Sequence, residues 1–286
     1  MRMPYVSALD GTELYYEEAG AGTAVVFVHE FAGDYRTWEP QMRYFSRAHR
    51  CITFSARGYP PSDIPTDPAR YGQDIARGDV IALMDALEVD KAHIVGHSMG
   101  AYTALHVGIH DPGRCLSVAA IGCGWGSNPG ERDASTKLCE SIAELFRTKP
   151  IEQAAEEYAH FAMRLTYKAK DPRGFAEFTR MLAEHSGIGS ALTMLNLQLK
   201  RPTLWELEDR LKSFALPLLV IVGDEDAPCI DGSLYLKRAV PTAALHIIPR
   251  AGHTVTSEEP AAINASLEQL FLASESDRWM AHKPQD

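Results

Sequence analysis

Long apolar runs are missing from this chain of 286 residues. The strongest, 24–28 and 216–222, fall far short of the roughly 20 residues that a membrane-spanning helix requires, so no membrane contact is expected. Basic residues are in the minority, with 28 Lys and Arg against 38 Asp and Glu and a net charge of -10. Gripping phosphates needs a basic face, so nucleic acid is not an expected partner. Cysteine is scarce. Cys51, Cys115, Cys123, Cys139 and Cys229 form an odd, scattered set with no CxxC pair, which reads as reduced thiols in a cytoplasmic protein. No apolar leader follows Met1, and acidic residues arrive by Asp10 and Glu13, so no secretory signal is expected. Nucleotide loops are absent too: there is no P-loop, and Gly122, Gly124 and Gly126 do not make a GxGxxG fingerprint, so no cofactor is expected. His106 and His110 stand four apart on a predicted helix, as a metal pair would. Without carboxylate or cysteine ligands nearby in the sequence they read as a helix-surface coincidence, and no metal is expected.

What is present is an ordinary globular mixture, 45% hydrophobic and 23% charged. The length suits one large domain carrying an insertion. Residues 6–9 and 14–16 flank Asp10-Gly11 and predict a hairpin with a tight turn. The run 24–28 is apolar and β-branched throughout, as a strand buried on both faces should be. Short strands are predicted at 51–54, 92–95, 116–121, 218–222 and 245–248. Helices are predicted at 74–87, where Ile75, Val80, Leu83, Met84 and Leu87 share a face, at 101–110, and at 260–272. From about 127 to 214 only helical patterns occur, at 138–146, 151–167, 175–185, 191–199 and 204–211. Strands alternating with helices predict an α/β fold, a doubly wound and mostly parallel sheet. The all-helical stretch then predicts a lid. The expected organisation is a core of 1–126 and 215–286 with a lid over 127–214.

Gly96-His97-Ser98-Met99-Gly100 is a Gly-x-Ser-x-Gly motif between a predicted strand and a predicted helix. A serine at such a turn has strained backbone angles. The two glycines leave room where side chains would collide, and Oγ is pushed out above the carboxyl end of the sheet. The helix dipole behind it favours a developing anion. Ser98 is therefore the expected nucleophile. A serine needs a base within hydrogen-bond reach and an anion to orient that base. His253 follows the last predicted strand and Gly252, so it is the expected base. Gly223-Asp224-Glu225-Asp226 follows the strand before it and supplies the acid. Asp226 is the first choice, because the loop must extend past Gly223 to reach under the histidine; Asp224 is the alternative.

These segments resemble the α/β-hydrolase superfamily, in its lidded small-molecule esterase and lactonase branch. The likeness rests on Val28-His29 with Gly33, Arg57-Gly58 with Ser62, the Gly96–Gly100 motif, Gly223 to Asp226, and Ala251-Gly252-His253. It implies an acid three residues after the strand-ending glycine, which matches Asp226. It also implies an oxyanion hole from the backbone N–H of Met99 and of Phe31. Three positions depart from the family pattern. Ser55 replaces an acidic residue, Ala101 replaces a glycine, and Glu30 follows His29 where a glycine is usual. Glu30 has two readings: it turns away and pairs with a cation such as Arg57, or it faces the pocket and selects or activates substrate.

Close cousins of the fold that open epoxides or remove halides attack with an aspartate, whereas Ser98 points to acyl chemistry. The first expectation is hydrolysis of a small carboxylic ester or lactone through an acyl-enzyme. The alternatives are hydrolysis of a carbon–carbon bond in a ketone-bearing ring-fission product, and a ligand-binding receptor on a hydrolase scaffold. Trp125, just past a predicted strand, is the best candidate for the substrate pocket. Lid residues such as Phe146, Tyr158, Phe161, Met163, Phe175, Met181, Met194 and Trp205 are divided between lid packing and pocket lining. The expected partner is a small molecule, and the sequence leaves a homodimer open.

Overall fold

The computed structural model describes residues 4–281. Among them, eight strands form one sheet: β1 (Tyr5–Ser7), β2 (Glu13–Ala19), β3 (Ala24–Val28), β4 (Arg50–Phe54), β5 (Ala92–His97), β6 (Cys115–Ile121), β7 (Leu218–Gly223) and β8 (Ala243–Ile248). Their spatial order is β1-β2-β4-β3-β5-β6-β7-β8. β1 and β2 pair antiparallel, as do β2 and β4; every later pairing is parallel. The expected hairpin is therefore present, but its loop is wider than a two-residue Asp-Gly turn. Ala8 N–H donates to Thr12 O, and Gly11 N–H donates to Ala8 O.

The parallel strands are apolar on both faces because helices cover both. Along β3, Val26 and Val28 enter one core with Val80 and Leu83 of α2 (Gln73–Ala86) and Ala104 and Leu105 of α3 (Met99–His110). Val25 and Phe27 enter the opposite core with Met42 and Phe45 of α1 (Glu39–Phe45). The period of two in the strand thus sorts successive side chains into different layers. After β3 the chain steps outward to β4, then crosses back to place β5 on the other side of β3. The strand order reverses there, and the carboxyl ends of β3 and β5 diverge. In open α/β sheets that crevice is where ligands bind.

Between β6 and β7 every element is helical: α4 (Arg132–Thr148), α5 (Ile151–Ala159), α6 (Leu165–Lys170), α7 (Pro172–Leu182), α8 (Gly187–Thr193) and α9 (Glu208–Lys212). Two expected helices are divided. The pattern over 151–167 is split into α5 and α6 by a 3-10 turn at Ala162–Arg164. The pattern over 191–199 changes from α8 into a π-helical turn at Met194–Gln198. The chain then returns through β7, α10 (Ala227–Ala239), β8, α11 (Val255–Glu258) and α12 (Pro260–Glu275). A third apolar cluster joins the lid to the sheet edge, packing Phe31, Tyr59 and Met99 among Ile142, Phe146, Tyr158 and Met194. No helix among the described residues is long and apolar enough to cross a membrane.

Candidate active site

Ser98 stands between β5 and α3 with φ 54° and ψ -109°. A non-glycine residue in that region stores about 1–3 kcal/mol of strain. The two glycines of the motif explain why the turn can close. A Cβ on Gly96 would lie 2.0 Å from Gly100 O, and one on Gly100 would lie 2.1 Å from Val28 O. Tight contact between β3, β5 and the start of α3 thus requires both.

Three predicted residues meet at this turn. His253 Nε2 lies 2.9 Å from Ser98 Oγ, and His253 Nδ1 lies 2.8 Å from Asp226 Oδ2. Asp226 and His253 are both buried. Burial alone pushes the Asp226 carboxyl upward, but the facing His253 and its hydrogen bond hold it below the usual carboxylate range. Burial lowers His253, yet the Asp226 carboxylate outweighs it with help from Glu30, and the imidazole is raised above its ordinary value. Asp224 does not reach the histidine. It is exposed, and its Oδ1 accepts from Ala251 N–H at 3.3 Å, bracing the loop that carries His253.

Phe31 and Met99 frame the same point from β3 and α3. Neither backbone N–H donates to an acceptor among the described residues. Met99 opens α3, where a helix leaves its N–H groups unpaired. The Phe31 loop is pinned by His29. Its Nε2 accepts from Ala56 N–H at 2.9 Å, so Nδ1 carries the proton and donates to Glu30 O at 2.7 Å.

Glu30 pairs with a cation, as its first reading has it, but the cation is not Arg57. Arg57 is held by Asp79 and Asp10, at 2.6 and 2.7 Å. Glu30 instead meets Arg164 of the lid: Nη2 donates to Oε2 at 2.5 Å and Nη1 to Oε1 at 3.0 Å. Both side chains are buried. Burial opposes ionisation of Glu30, but the Arg164 guanidinium overrides it and holds the carboxyl well below its usual range. The same Oε2 lies 4.0 Å from His253 Nε2. Glu30 does not line the cavity that holds Ser98; it stands beside the imidazole instead.

Ser98 and His253 both line that cavity. Phe31, Trp125, Ile142, Phe161 and Met163 supply apolar walls, and Tyr158 and Gln198 add polar groups. Trp125 is therefore at the site. Of the lid residues singled out from the sequence, Tyr158, Phe161 and Met163 face the cavity, and Phe146, Phe175 and Met194 are lid core. Trp205 stacks on Tyr235 with centroids 4.3 Å apart. Cys123 is a buried thiol pushed up to about 12 by desolvation, and all five cysteines are buried and free.

Sequence reasoning missed Arg164, Gln198 and Arg201. Arg201 donates to Gln198 Oε1 and, at 2.7 Å, to Trp125 O, and its guanidinium lies 3.7 Å from the centroid of the Tyr102 ring. It orients two residues of the cavity wall. Nothing in the spacing of these polar residues marks them, because their partners lie on other elements.

Known proteins share this architecture. A family model described as the alpha/beta hydrolase fold matches residues 23–260. The chain is 37% identical to an epoxide hydrolase from Caballeronia sordidicola over 118 residues, 41% of this chain and 36% of that protein. It is 24% identical to 3-oxoadipate enol-lactonase 1 from Acinetobacter baylyi over 249 residues, 83% of this chain and 84% of the relative. The crystal structure of the enol-lactonase from Burkholderia xenovorans LB400 matches with a TM-score of 0.83 at 22% identity, covering 94% of this chain and 100% of that one, a likeness of fold. The family model spans most of the chain, from the first parallel strand to the start of the last helix, and the chain belongs to the alpha/beta hydrolase fold family.

Proposed function

We propose that this chain is a serine hydrolase that cleaves small carboxylic esters or lactones through an acyl-enzyme on Ser98. The observation that carries the reading is the relay from Ser98 Oγ through His253 to Asp226, 2.9 and 2.8 Å, at the wall of an apolar cavity. His253 Nε2 takes the Oγ proton as Oγ bonds to the carbonyl carbon. The resulting oxyanion is received by the N–H groups of Phe31 and Met99. A preorganised donor of this kind contributes about 2.7–4 kcal/mol to the transition state. The Nε2 proton then passes to the leaving oxygen, and the acyl group stays on Oγ. A water deprotonated by His253 releases the acid in the second half.

Asp226 fixes the tautomer and stabilises the imidazolium. Glu30 adds a second negative charge on its other side, so the imidazolium is favoured from both edges. The aspartate-based opening of epoxides is not supported, because Ser98 offers a hydroxyl where that chemistry forms an ester with a carboxylate. The enol-lactonase among the relatives favours lactones within the substrate class. The apolar lining of the cavity supports a largely apolar substrate. Five buried, unpaired thiols support a cytoplasmic setting. The net charge of -10 supports neither nucleic acid nor an anionic membrane as partner.

The test pairs covalent labelling by a fluorophosphonate with turnover of an ester and lactone panel. Labelling lost in Ser98→Ala, with turnover of short esters or lactones, is the expected result. Turnover confined to a ketone-bearing ring-fission product would move the reading to carbon–carbon hydrolysis. Tight ligand binding without turnover, unchanged in Ser98→Ala, would make the chain a receptor.

A further inference from the structure

The far half of α3 carries two imidazoles that hydrolysis does not use. His106 and His110 stand at i and i+4, so both project from one face of the helix. His106 is buried, and neither its Nδ1 nor its Nε2 has a hydrogen-bond partner among the described residues. Buried polar groups are almost always partnered, and the exceptions call for a reason. Burial lowers this imidazole to about 4, so near neutral pH it is uncharged and a ring nitrogen keeps a free lone pair. His110 is exposed beside it, with ring centroids 5.6 Å apart.

The fold adds the carboxylate whose absence from the neighbouring sequence argued against a metal. Asp74, in the first turn of α2, comes up against this pair. One ligand atom from each of Asp74, His106 and His110 lies within 4.8 Å of the other two. Two cations lie near. Arg77 on α2 gives its Nη1 to Asp111 at 2.5 Å, while its Nε makes no hydrogen bond among the described residues and stands 3.9 Å from Asp74. Arg201 bears on His106 from the lid side. Asp74 is mostly exposed, and no hydrogen bond fixes its direction among the described residues, so it is free to turn toward the histidines.

We propose that His106, His110 and Asp74 bind a divalent transition-metal ion of the Zn²⁺, Co²⁺ or Ni²⁺ type. Two imidazole nitrogens and one carboxylate oxygen suit these ions and not Mg²⁺ or Ca²⁺, which take oxygen ligands, and water completes the coordination. The ion would tie α2 to α3, the helix that begins immediately after Ser98. Eight residues of helical rise, about 12 Å, separate the serine from His106, so the ion is a clamp on the scaffold and takes no part in the hydrolytic chemistry. Because it binds the folded chain, it raises stability with metal concentration.

The decisive experiment titrates ZnCl₂ into the EDTA-stripped full chain by calorimetry, with melting temperature and ester turnover followed in parallel. The proposal expects one saturable equivalent, a rise in Tm, and turnover unchanged at that equivalent. His110→Ala, at an exposed position, should weaken binding by at least the tenfold that loss of even an outer-shell partner costs, and should remove the rise in Tm. Asp74→Asn should weaken binding in the same direction. Asp226, Cys229 and His253 form a second cluster with similar spacing. Binding that survives His110→Ala, disappears in Asp226→Asn and inhibits turnover would place the ion at the reaction centre and overturn the proposal. Absence of saturable binding at millimolar Zn²⁺ would overturn it as well.

Discussion

His253 is bracketed by Asp226 at Nδ1 and Glu30 near Nε2, and each makes a separate prediction. Asp226 lies at Nδ1 and is buried, whereas Asp224 is exposed and bonded to Ala251 N–H. Asp226→Asn should lower kcat by about 10⁴, the scale expected when the orienting acid of such a relay is removed. Asp224→Asn should leave kcat near the parental value, as steady-state kinetics on one ester would read. Ser98→Ala and His253→Ala should each lower kcat by about 10⁴–10⁶, and the double variant little further, since the pair acts as a unit. Glu30 acts on the pH profile. The raised His253 must be neutral to accept the serine proton, so activity should climb as pH passes its pKa. Glu30→Gln removes a negative charge 4.0 Å from Nε2 and leaves the Arg164 cation uncompensated. Both changes disfavour the imidazolium, so the acid limb of kcat/KM should move to lower pH. An unmoved limb would show that Glu30 has no electrostatic hold on the base.

Two lid segments depart from regular helix, and each departure brings a polar side chain toward the site. The 3-10 turn at Ala162–Arg164 interrupts a pattern that predicts one continuous helix, and it directs Arg164 inward to Glu30 and Thr254. The same turn lets Met163 O accept the N–H of His253 at 3.0 Å. The π-helical turn Met194–Gln198 ends on Gln198, which faces the cavity with its Oε1 occupied by Arg201. Such turns recur at functional sites. With the oxygen engaged, the amide N–H₂ is the group left to meet substrate. Gln198→Leu should raise KM roughly three- to tenfold for acyl groups bearing a hydrogen-bond acceptor, relative to plain alkyl esters. A uniform change across both ester series would assign Gln198 to packing alone.

Across the whole molecule, the lid is fastened to the core next to the reacting groups. Arg164–Glu30 is a buried fastener; Arg36–Glu184 and Lys170–Glu259, at 2.5 and 2.6 Å, are more exposed. Exposed pairs contribute about 0–1 kcal/mol each. Removing one partner of a buried pair leaves an uncompensated charge and costs about 3–5 kcal/mol. Glu30→Gln and Arg164→Met should each lower stability on that scale, while the double variant should recover much of the loss. Urea unfolding of all four proteins measures the coupling, and losses that simply add would mean the pair is not a clamp.

The sequence by itself determined the mostly parallel sheet and the run of helices between β6 and β7, and it set Ser98, Asp226 and His253 just past strand ends. Those features are local: strand periodicity, turn glycines and residues at strand ends are written in neighbours along the chain. It favoured Asp226 over Asp224 by the reach of the loop, and the tertiary structure adds the physical difference: Asp226 is buried against His253, while Asp224 is exposed. Tertiary structure alone decided where Glu30 points. Its partner Arg164 is 134 positions away, on a turn that helical spacing hides, while the nearer candidate Arg57 is claimed by Asp79 and Asp10. The carboxylate beside His106 and His110 was hidden for the same reason, because Asp74 reaches them across two packed helices. Ion pairs and ligand sets between distant elements depend on which faces meet, and no local pattern encodes that meeting.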